Sequence, residues 1–332
     1  ASGNLEIVKL LIQEGADIRV ASGSGETPLM YAAASGNLEI VKLLIQEGAD
    51  IHASSSHKLT PLHYASRKGH TGIVKFLVFQ GANLNAQTDK GESLAHYAVK
   101  EGNIEFLSFL CENGAYIDAQ DDKGMTPLMY AISKGRIDIV ELLLNKGADL
   151  YLLDNQRRSV LGYAALFEHF NILKFLFENM EDNSLRREYG VNALKSCLSR
   201  NYEHISWEIV DFLLAKRISL NDLPNPPLIH DAWTGNLKMI EALYKRGAHI
   251  DIQDKEGTTP LIAAVRGGHL DIVKFLCEKG ADLDLQDKSK DTALSYAKQA
   301  KKQEIIKYLE ERGAKENKPQ QDINDILFGL LE

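Results

Sequence analysis

A pattern with a period of 33 residues runs through the chain and constrains its fold more than any other feature. Thr27, Thr60, Ser93, Thr126 and Ser159 share one position of this pattern. Internal repetition of this kind indicates an array of similar supersecondary units, each stacked on its neighbours. The 332 residues are therefore expected to form one array of repeats, although the length alone would suggest two or three globular domains.

The repeat at residues 25–57 shows how the unit is built. Thr27 is expected to cap a short first helix, and Pro28 follows at the first helical position, where its missing N–H is harmless. A second helix is predicted from about Leu38 to Glu47, because its apolar residues recur at helical spacing. Gly48 is expected to end that helix in the left-handed conformation. Two helices and a turn cannot bury their apolar faces alone, so copies of the unit must stack.

These motifs resemble the ankyrin repeat family. The similarity lies in Thr60-Pro61-Leu62-His63-Tyr64-Ala65, in Gly36-Asn37 followed by Ile40-Val41, and in Gly48-Ala49-Asp50, and it extends to about Ala314. The resemblance implies an all-α ankyrin-repeat solenoid of helix-turn-helix units joined by β-turn or hairpin connections, with about nine and a half repeats and an irregular centre. It also implies a protein–protein interaction module, but not its partner, because the family is a scaffold for many unrelated partners.

The array is predicted to span residues 1–314 and to be regular over 1–150, degenerate over 151–235 and regular again over 236–314. In the degenerate part, Arg157 stands where the turn glycine belongs, and Glu168 replaces the glycine between the two helices. The next first-helix signature is assigned to Asn192-Ala193-Leu194. A break or a change of curvature is expected within this stretch.

The two ends of the array are expected to differ from its regular repeats. Residues 1–18 repeat residues 34–51 without a change, but the first helix of this opening unit is absent, so its apolar side chains cannot all be covered. Residues 315–321 are predicted to form a linker. Residues 322–332 are predicted to form a short amphipathic helix. That helix would fold back over the last repeat, dock in a partner's groove, or remain disordered.

Composition and charge narrow the classes of partner. The formal net charge is −8, which argues against broad binding to a nucleic-acid backbone, and no apolar run is long enough to span a bilayer. The three cysteines are scattered over different repeats and do not form a disulfide framework. A reducing compartment is therefore expected, namely the cytoplasm, or the host cytosol if the protein is a secreted effector.

The candidate partner-binding residues lie in the degenerate centre and at its end. Where the regular repeats carry small or charged residues at the exposed end of the first helix, this part of the chain carries Leu166, Phe167 and Trp233. Large apolar side chains at exposed positions are common anchors of interfaces. Four turn-tip residues are expected to add polar recognition nearby: Arg157, Arg158, Arg187 and Tyr189. The alternative is that the worn repeats bend the stack, so that Phe167 and Trp233 are buried.

The sequence offers little evidence for catalysis. It has no glycine-rich phosphate loop and no zinc or nucleophile-elbow motif, so no cofactor or metal is predicted and the protein is not expected to be an enzyme. One alternative is a small active site in the irregular centre that uses Cys197 and His204. Another is a purely structural spacer with no tight partner. The leading interpretation remains an adaptor, scaffold or effector that binds a partner protein through the concave surface of the array and its degenerate central repeats.

Overall fold

The computed structural model describes residues 4–199 and 202–315. The predicted helix at 322–332, and the predicted linker at 315–321 apart from Lys315, lie outside these residues. The described residues contain nineteen α-helices and no strand, which confirms the all-α fold. The chain divides into two compact units, residues 1–193 and 194–332, and each is described separately.

In unit 1 (residues 1–193), short first helices alternate with longer second helices. The last helix, α12, contains the unit boundary. The helices are α1 (Leu5–Gln13), α2 (Pro28–Ser35), α3 (Leu38–Gln46), α4 (Pro61–Arg67), α5 (Thr71–Phe79), α6 (Leu94–Glu101), α7 (Ile104–Glu112), α8 (Pro127–Ser133), α9 (Ile137–Asn145), α10 (Val160–Leu166), α11 (Phe170–Asn179) and α12 (Asn183–Leu198). First helices pack on first helices, α2 on α4 and α4 on α6, and each also packs on its own second helix.

In unit 2 (residues 194–332), the same alternation follows two irregular segments. Two 3-10 helices, Tyr202–His204 and Leu220–Asp222, lie before and after α13, and the second leads into a stretch with three prolines at 224, 226 and 227. The α-helices are α13 (Trp207–Ala215), α14 (Pro227–Thr234), α15 (Leu237–Lys245), α16 (Pro260–Gly267), α17 (Leu270–Glu278), α18 (Ala293–Gln299) and α19 (Gln303–Glu311). The first helices α14, α16 and α18 pack in series.

The residues that were expected to begin, end and bury the helices have these roles in the structure. Thr126 and Thr259 are N-cap residues whose hydroxyls accept hydrogen bonds from the backbone N–H groups of Met129 and Ile262, at 3.3 and 3.1 Å. Gly48, after α3, has a φ of 87°. The apolar positions of α3 give Ile40, Val41 and Leu44 to the core. In α1, by contrast, Ile7, Leu10 and Leu11 are more than half exposed, as the missing first helix predicts.

Backbone hydrogen bonds close the turn of each repeat and connect neighbouring turns. Within one turn, the Asp121 N–H donates to the Met125 carbonyl at 3.0 Å. Between turns, the Asp122 N–H donates to the Lys90 carbonyl at 2.7 Å, and the same link joins Asn155 to Lys123. These bonds place the turns side by side, so the exposed ends of successive first helices share one face within a unit.

One predicted boundary is wrong. The signature assigned to Asn192-Ala193-Leu194 does not begin a helix, because α12 begins nine residues earlier, at Asn183. Arg187 and Tyr189 therefore lie within a 16-residue helix and not at a turn tip. Asp182 caps this helix instead, because its Oδ1 accepts hydrogen bonds from the backbone N–H groups of Ser184 and Leu185 at 2.8 and 3.0 Å. An aspartate cap without the Thr-Pro-Leu motif is a signal that the repeat alignment does not use.

Candidate partner-binding surfaces

In unit 1, a row of tyrosines follows the first helices. Each hydroxyl donates to a carboxylate of a nearby turn: Tyr31 and Tyr64 to Glu26 (2.6 Å each), Tyr97 to Glu92 (3.0 Å), Tyr130 to Asp121 (2.8 Å) and Tyr163 to Asp154 (2.7 Å). The hydrogen bonds from Tyr31 and Tyr64 lower the pKa of Glu26 to about 2. The Glu26 carboxylate is therefore charged at neutral pH, and all the carboxylates of this row are already engaged by the protein's own donors.

Basic side chains lie over the tyrosine rings. The Lys100 ammonium lies 4.4 Å from the centroid of the Tyr130 ring and pairs with Glu92. The Arg158 guanidinium lies 4.9 Å from the centroid of Tyr163, and its Nε donates to Asp154 at 2.7 Å. Arg158 is half-buried, and its guanidinium forms an ion pair with Asp154 within the protein.

Phe167 extends this face at the end of α10. Its side chain is 43% exposed, so it is not buried by a bend of the stack. Its ring is nearly parallel to that of Tyr163, at 6.3 Å between centroids, and to that of His169, at 6.4 Å. Leu166 beside it is half-buried. These ring contacts hold Phe167 in place, while its side chain stays partly exposed to solvent.

The predicted polar residues are distributed differently. Arg157 is exposed with a φ of 60°, and Arg187 is exposed on α12. Tyr189 is only 3% exposed, and its hydroxyl donates to the Tyr151 carbonyl at 2.7 Å. Its ring therefore belongs to the packing of unit 1, because it lies on a helix where a turn tip was predicted.

In unit 2, Trp233 is the main exposed aromatic side chain of the first-helix face. It is 49% exposed at the end of α14, and its carbonyl accepts a hydrogen bond from His269 Nε2 at 3.0 Å. The Arg266 guanidinium lies between two rings, 5.2 Å from the centroid of Trp233 and 5.2 Å from that of Tyr296. A concavity of about 360 Å³ adjoins Trp233, with Pro226 and Ile229 among its lining residues. An indole that is fixed in place beside a concavity is well suited to anchor a partner.

A second concavity, of about 740 Å³, lies on unit 2 and contains an unusual acid. Its lining includes Asp231, which is only 9% exposed. Burial raises the pKa of Asp231 to about 6, against the smaller opposing effects of the His230 charge and a hydrogen bond from Asn236. Asn225 and His230 line both concavities, so the two are neighbours.

Neither Cys197 nor its surroundings resembles an activated nucleophile. Cys197 is 1% exposed, and burial raises the pKa of its thiol to about 12, which disfavours the reactive thiolate. His204 is exposed on the 3-10 helix Tyr202–His204. Within residues 4–199 and 202–315, no three His, Cys, Asp or Glu side chains are placed to hold a metal ion.

Three segments of the chain, residues 1–88, 73–154 and 228–320, match the pattern of ankyrin repeats. Together they cover most of the sequence, and the chain belongs to the ankyrin repeat family. The unmatched stretch between them falls within the degenerate centre. No curated protein is similar enough to the chain to count as a match. Members of the family are generally protein–protein interaction modules and are typically not enzymes. None of the described helices combines the length and apolar character needed to cross a bilayer.

Sequence reasoning missed Asp231, Arg266 and the tyrosine row. A signal existed for Asp231, because alanine occupies its position in most other repeats. The tyrosines also recur with the period of the array. No such signal existed for Arg266, whose role depends on its distance from two rings in neighbouring repeats.

Proposed function

We propose that this protein is an adaptor that binds a partner protein through the first-helix face of unit 2, with Trp233 as the central anchor. The observation that carries the proposal is the half-exposed Trp233 indole, which lies against the Arg266 guanidinium beside a concavity. The backbone at Trp233 is held by the hydrogen bond from His269 to its carbonyl. Exposed aromatic side chains in ordered surroundings supply a large share of binding free energy in protein interfaces. Phe167 supports a second contact area on unit 1.

The proposal extends to the setting in which the protein acts. Cys111, Cys197 and Cys277 are all free thiols, and burial raises the pKa of Cys277 to about 11. These features support a role in a reducing compartment, namely the cytoplasm, or the host cytosol if the protein acts as an effector. The chain's net charge of −8 supports a protein partner over a nucleic acid. An active site at Cys197 is not supported by the buried thiol.

The test is a comparison of matched variants in a capture experiment. Wild-type protein, Trp233→Ala, Phe167→Ala and the control Phe79→Ala would each be immobilised, and the captured lysate proteins would be quantified by mass spectrometry. Phe79 suits the control because it is 86% exposed on α5, outside both proposed contact areas. Each variant would first be matched to wild type in thermal stability.

We expect one set of proteins to be held by wild type and by Phe79→Ala and to be reduced about tenfold or more by Trp233→Ala. A smaller loss is expected for Phe167→Ala. Equal capture by wild type and Trp233→Ala would contradict the role of Trp233. The absence of any specific partner for the wild-type protein would favour a structural spacer.

A further inference from the structure

Asp231 departs from the repeat in a way that folding alone does not explain. Alanine occupies the equivalent position in seven other first helices: Ala32, Ala65, Ala98, Ala131, Ala164, Ala264 and Ala297. Those alanines are buried and need no hydrogen-bond partner. Asp231 places a carboxylate, which can accept about four hydrogen bonds, at the same depth in the helix packing.

Within residues 4–199 and 202–315, few donors reach this carboxylate. The Asn236 side-chain amide donates to Asp231 Oδ1 at 3.4 Å, which is a long hydrogen bond. The nearest basic group of the described residues is His230, whose Nδ1 lies 4.0 Å from the same oxygen. No lysine or arginine of the described residues forms an ion pair with Asp231. A buried carboxylate without a full set of donors destabilises the fold unless another cation reaches it.

The surrounding cleft has room for such a cation and the chemistry to hold it. Leu198, Leu223 and Pro227 give it apolar walls, and its volume of about 740 Å³ is typical of a ligand pocket. Lysine and arginine combine an aliphatic stem with a charged head, so the stem would contact these walls while the head reaches the acid. Lys195 on the rim is exposed and forms no ion pair with Asp231, so the acid stays open to an incoming charge.

We infer that the cleft formed by Asp231, Leu198, Leu223 and Pro227 is a specificity pocket that binds one lysine or arginine side chain of the partner. The inference rests on the proposed function, because this cleft and the concavity beside Trp233 are neighbours that share Asn225 and His230 in their linings. A single partner segment then covers Trp233 and inserts its basic residue next to it. The chain's net charge of −8 also favours a basic segment.

The experiment selects peptide ligands and then tests their basic residue. A library of random 12-residue peptides would be selected on the full-length wild-type protein, and affinities of synthetic peptides would be measured by calorimetry. The protein variants are Asp231→Asn, which keeps the side-chain shape, Asp231→Ala, which restores the repeat residue, and Trp233→Ala. In a matched peptide, the basic residue is replaced by norleucine, which keeps the stem and removes the charge.

We expect the selected peptides to share a lysine or arginine at one fixed position. The norleucine peptide should bind the wild-type protein about tenfold or more weakly than the parent peptide does. The Asp231→Asn variant should bind the parent peptide more weakly than the wild-type protein does, by a similar factor. The two losses should not add, because both remove the same interaction. Asp231→Ala should behave like Asp231→Asn, which excludes an effect of the new amide group.

The outcomes separate the inference from the proposed function. Peptides that lose affinity on Trp233→Ala but bind Asp231→Asn as well as wild type would overturn the specificity pocket and leave the proposed function standing. Selected peptides without a common basic residue would also overturn the pocket. Peptides insensitive to every variant, or a selection that enriches no peptide, would count against both.

Discussion

Asp154 in unit 1 and Asp231 in unit 2 are both buried aspartates, but their surroundings differ. Asp154 accepts hydrogen bonds from the backbone N–H groups of Gln156 and Arg158, from Arg158 Nε and from the Tyr163 hydroxyl, all within 2.9 Å. Burial raises its pKa, but these donors outweigh that effect, and the net pKa is lowered. Asp231 accepts one long hydrogen bond from the described residues, and burial raises its pKa to about 6. Burial alone therefore does not determine the charge state of a carboxylate, because the number of donors decides it.

The comparison assigns different roles to the two residues. Asp154 closes its own turn and holds Tyr163 and Arg158 in place, so its cost of burial is offset inside the fold. Among the described residues, Asp231 has no comparable set of donors, which is why we connect it with a partner. Three substitutions test this contrast.

The largest effect is expected for Asp154→Ala. The substitution leaves the buried Tyr163 hydroxyl, the Arg158 guanidinium and two backbone N–H groups without their acceptor, so the free energy of unfolding should fall by about 3 kcal/mol. Urea denaturation, with hydrogen exchange of the α10 amides as a local measure, would report the loss. Asp122→Ala, at an exposed turn position of the preceding repeat, should stay within about 0.5 kcal/mol of wild type. If the two variants lost a similar free energy of unfolding, the hydrogen bonds to the Asp154 side chain would not be the cause of the loss.

An effect of opposite sign is expected for Asp231→Asn. The pKa of Asp231 is about 6 in the folded protein and 3.8 as its ordinary value, so between these pH values the folded protein keeps a proton that the unfolded chain has lost. The contribution of Asp231 to the free energy of unfolding therefore falls as the pH rises from about 4 to 6. Above that range the full cost of burying its negative charge is present. Asp231→Asn should raise the free energy of unfolding by about 2 kcal/mol at pH 7.5 and change it little at pH 4. Parallel stability curves for wild type and variant across this range would show that Asp231 is satisfied within the fold.

The smallest effect is expected for Arg157→Gly, in the same turn as Asp154. Arg157 has a φ of 60°, whereas glycine holds the equivalent position in other turns, for example at Gly91 and Gly124. Glycine removes the strain of a side chain in the left-handed region, so a gain of about 0.5 to 1 kcal/mol is expected in thermal unfolding. Arg157→Ala keeps the Cβ atom and should give no such gain. If both variants behave alike, the turn that holds Asp154 is not strained at Arg157.

The sequence predicts the repeated part of this fold well, because each element has a local signal. The Thr-Pro-Leu motif begins α4 at Pro61, and the glycine at Gly48 follows the end of α3. At α12 the same reasoning fails, since the helix begins at Asn183 without the motif. Tyr189 was consequently assigned to a turn tip, whereas it is buried in the structure.

The candidate site is less predictable than the fold. The exposure of Phe167 and Trp233 could be expected from their positions at the ends of first helices, although their burial was an alternative. The placement of Arg266 between Trp233 and Tyr296 depends on side-chain distances across three repeats, for which the sequence has no local signal. The unsatisfied state of Asp231 depends on which donors the neighbouring segments bring close to it, and only the packed structure defines them.

The duplicated segment at the start of the chain makes the energy of repeat stacking measurable within one molecule. Helices α1 and α3 have the same sequence, LEIVKLLIQ, and each follows an asparagine cap, Asn4 or Asn37. Intrinsic helix propensity and capping are therefore the same for both, but α3 buries three side chains and α1 none. The difference in local opening free energy between the two helices therefore measures how much packing on α2 and on the neighbouring repeats adds to the stability of one second helix of the array.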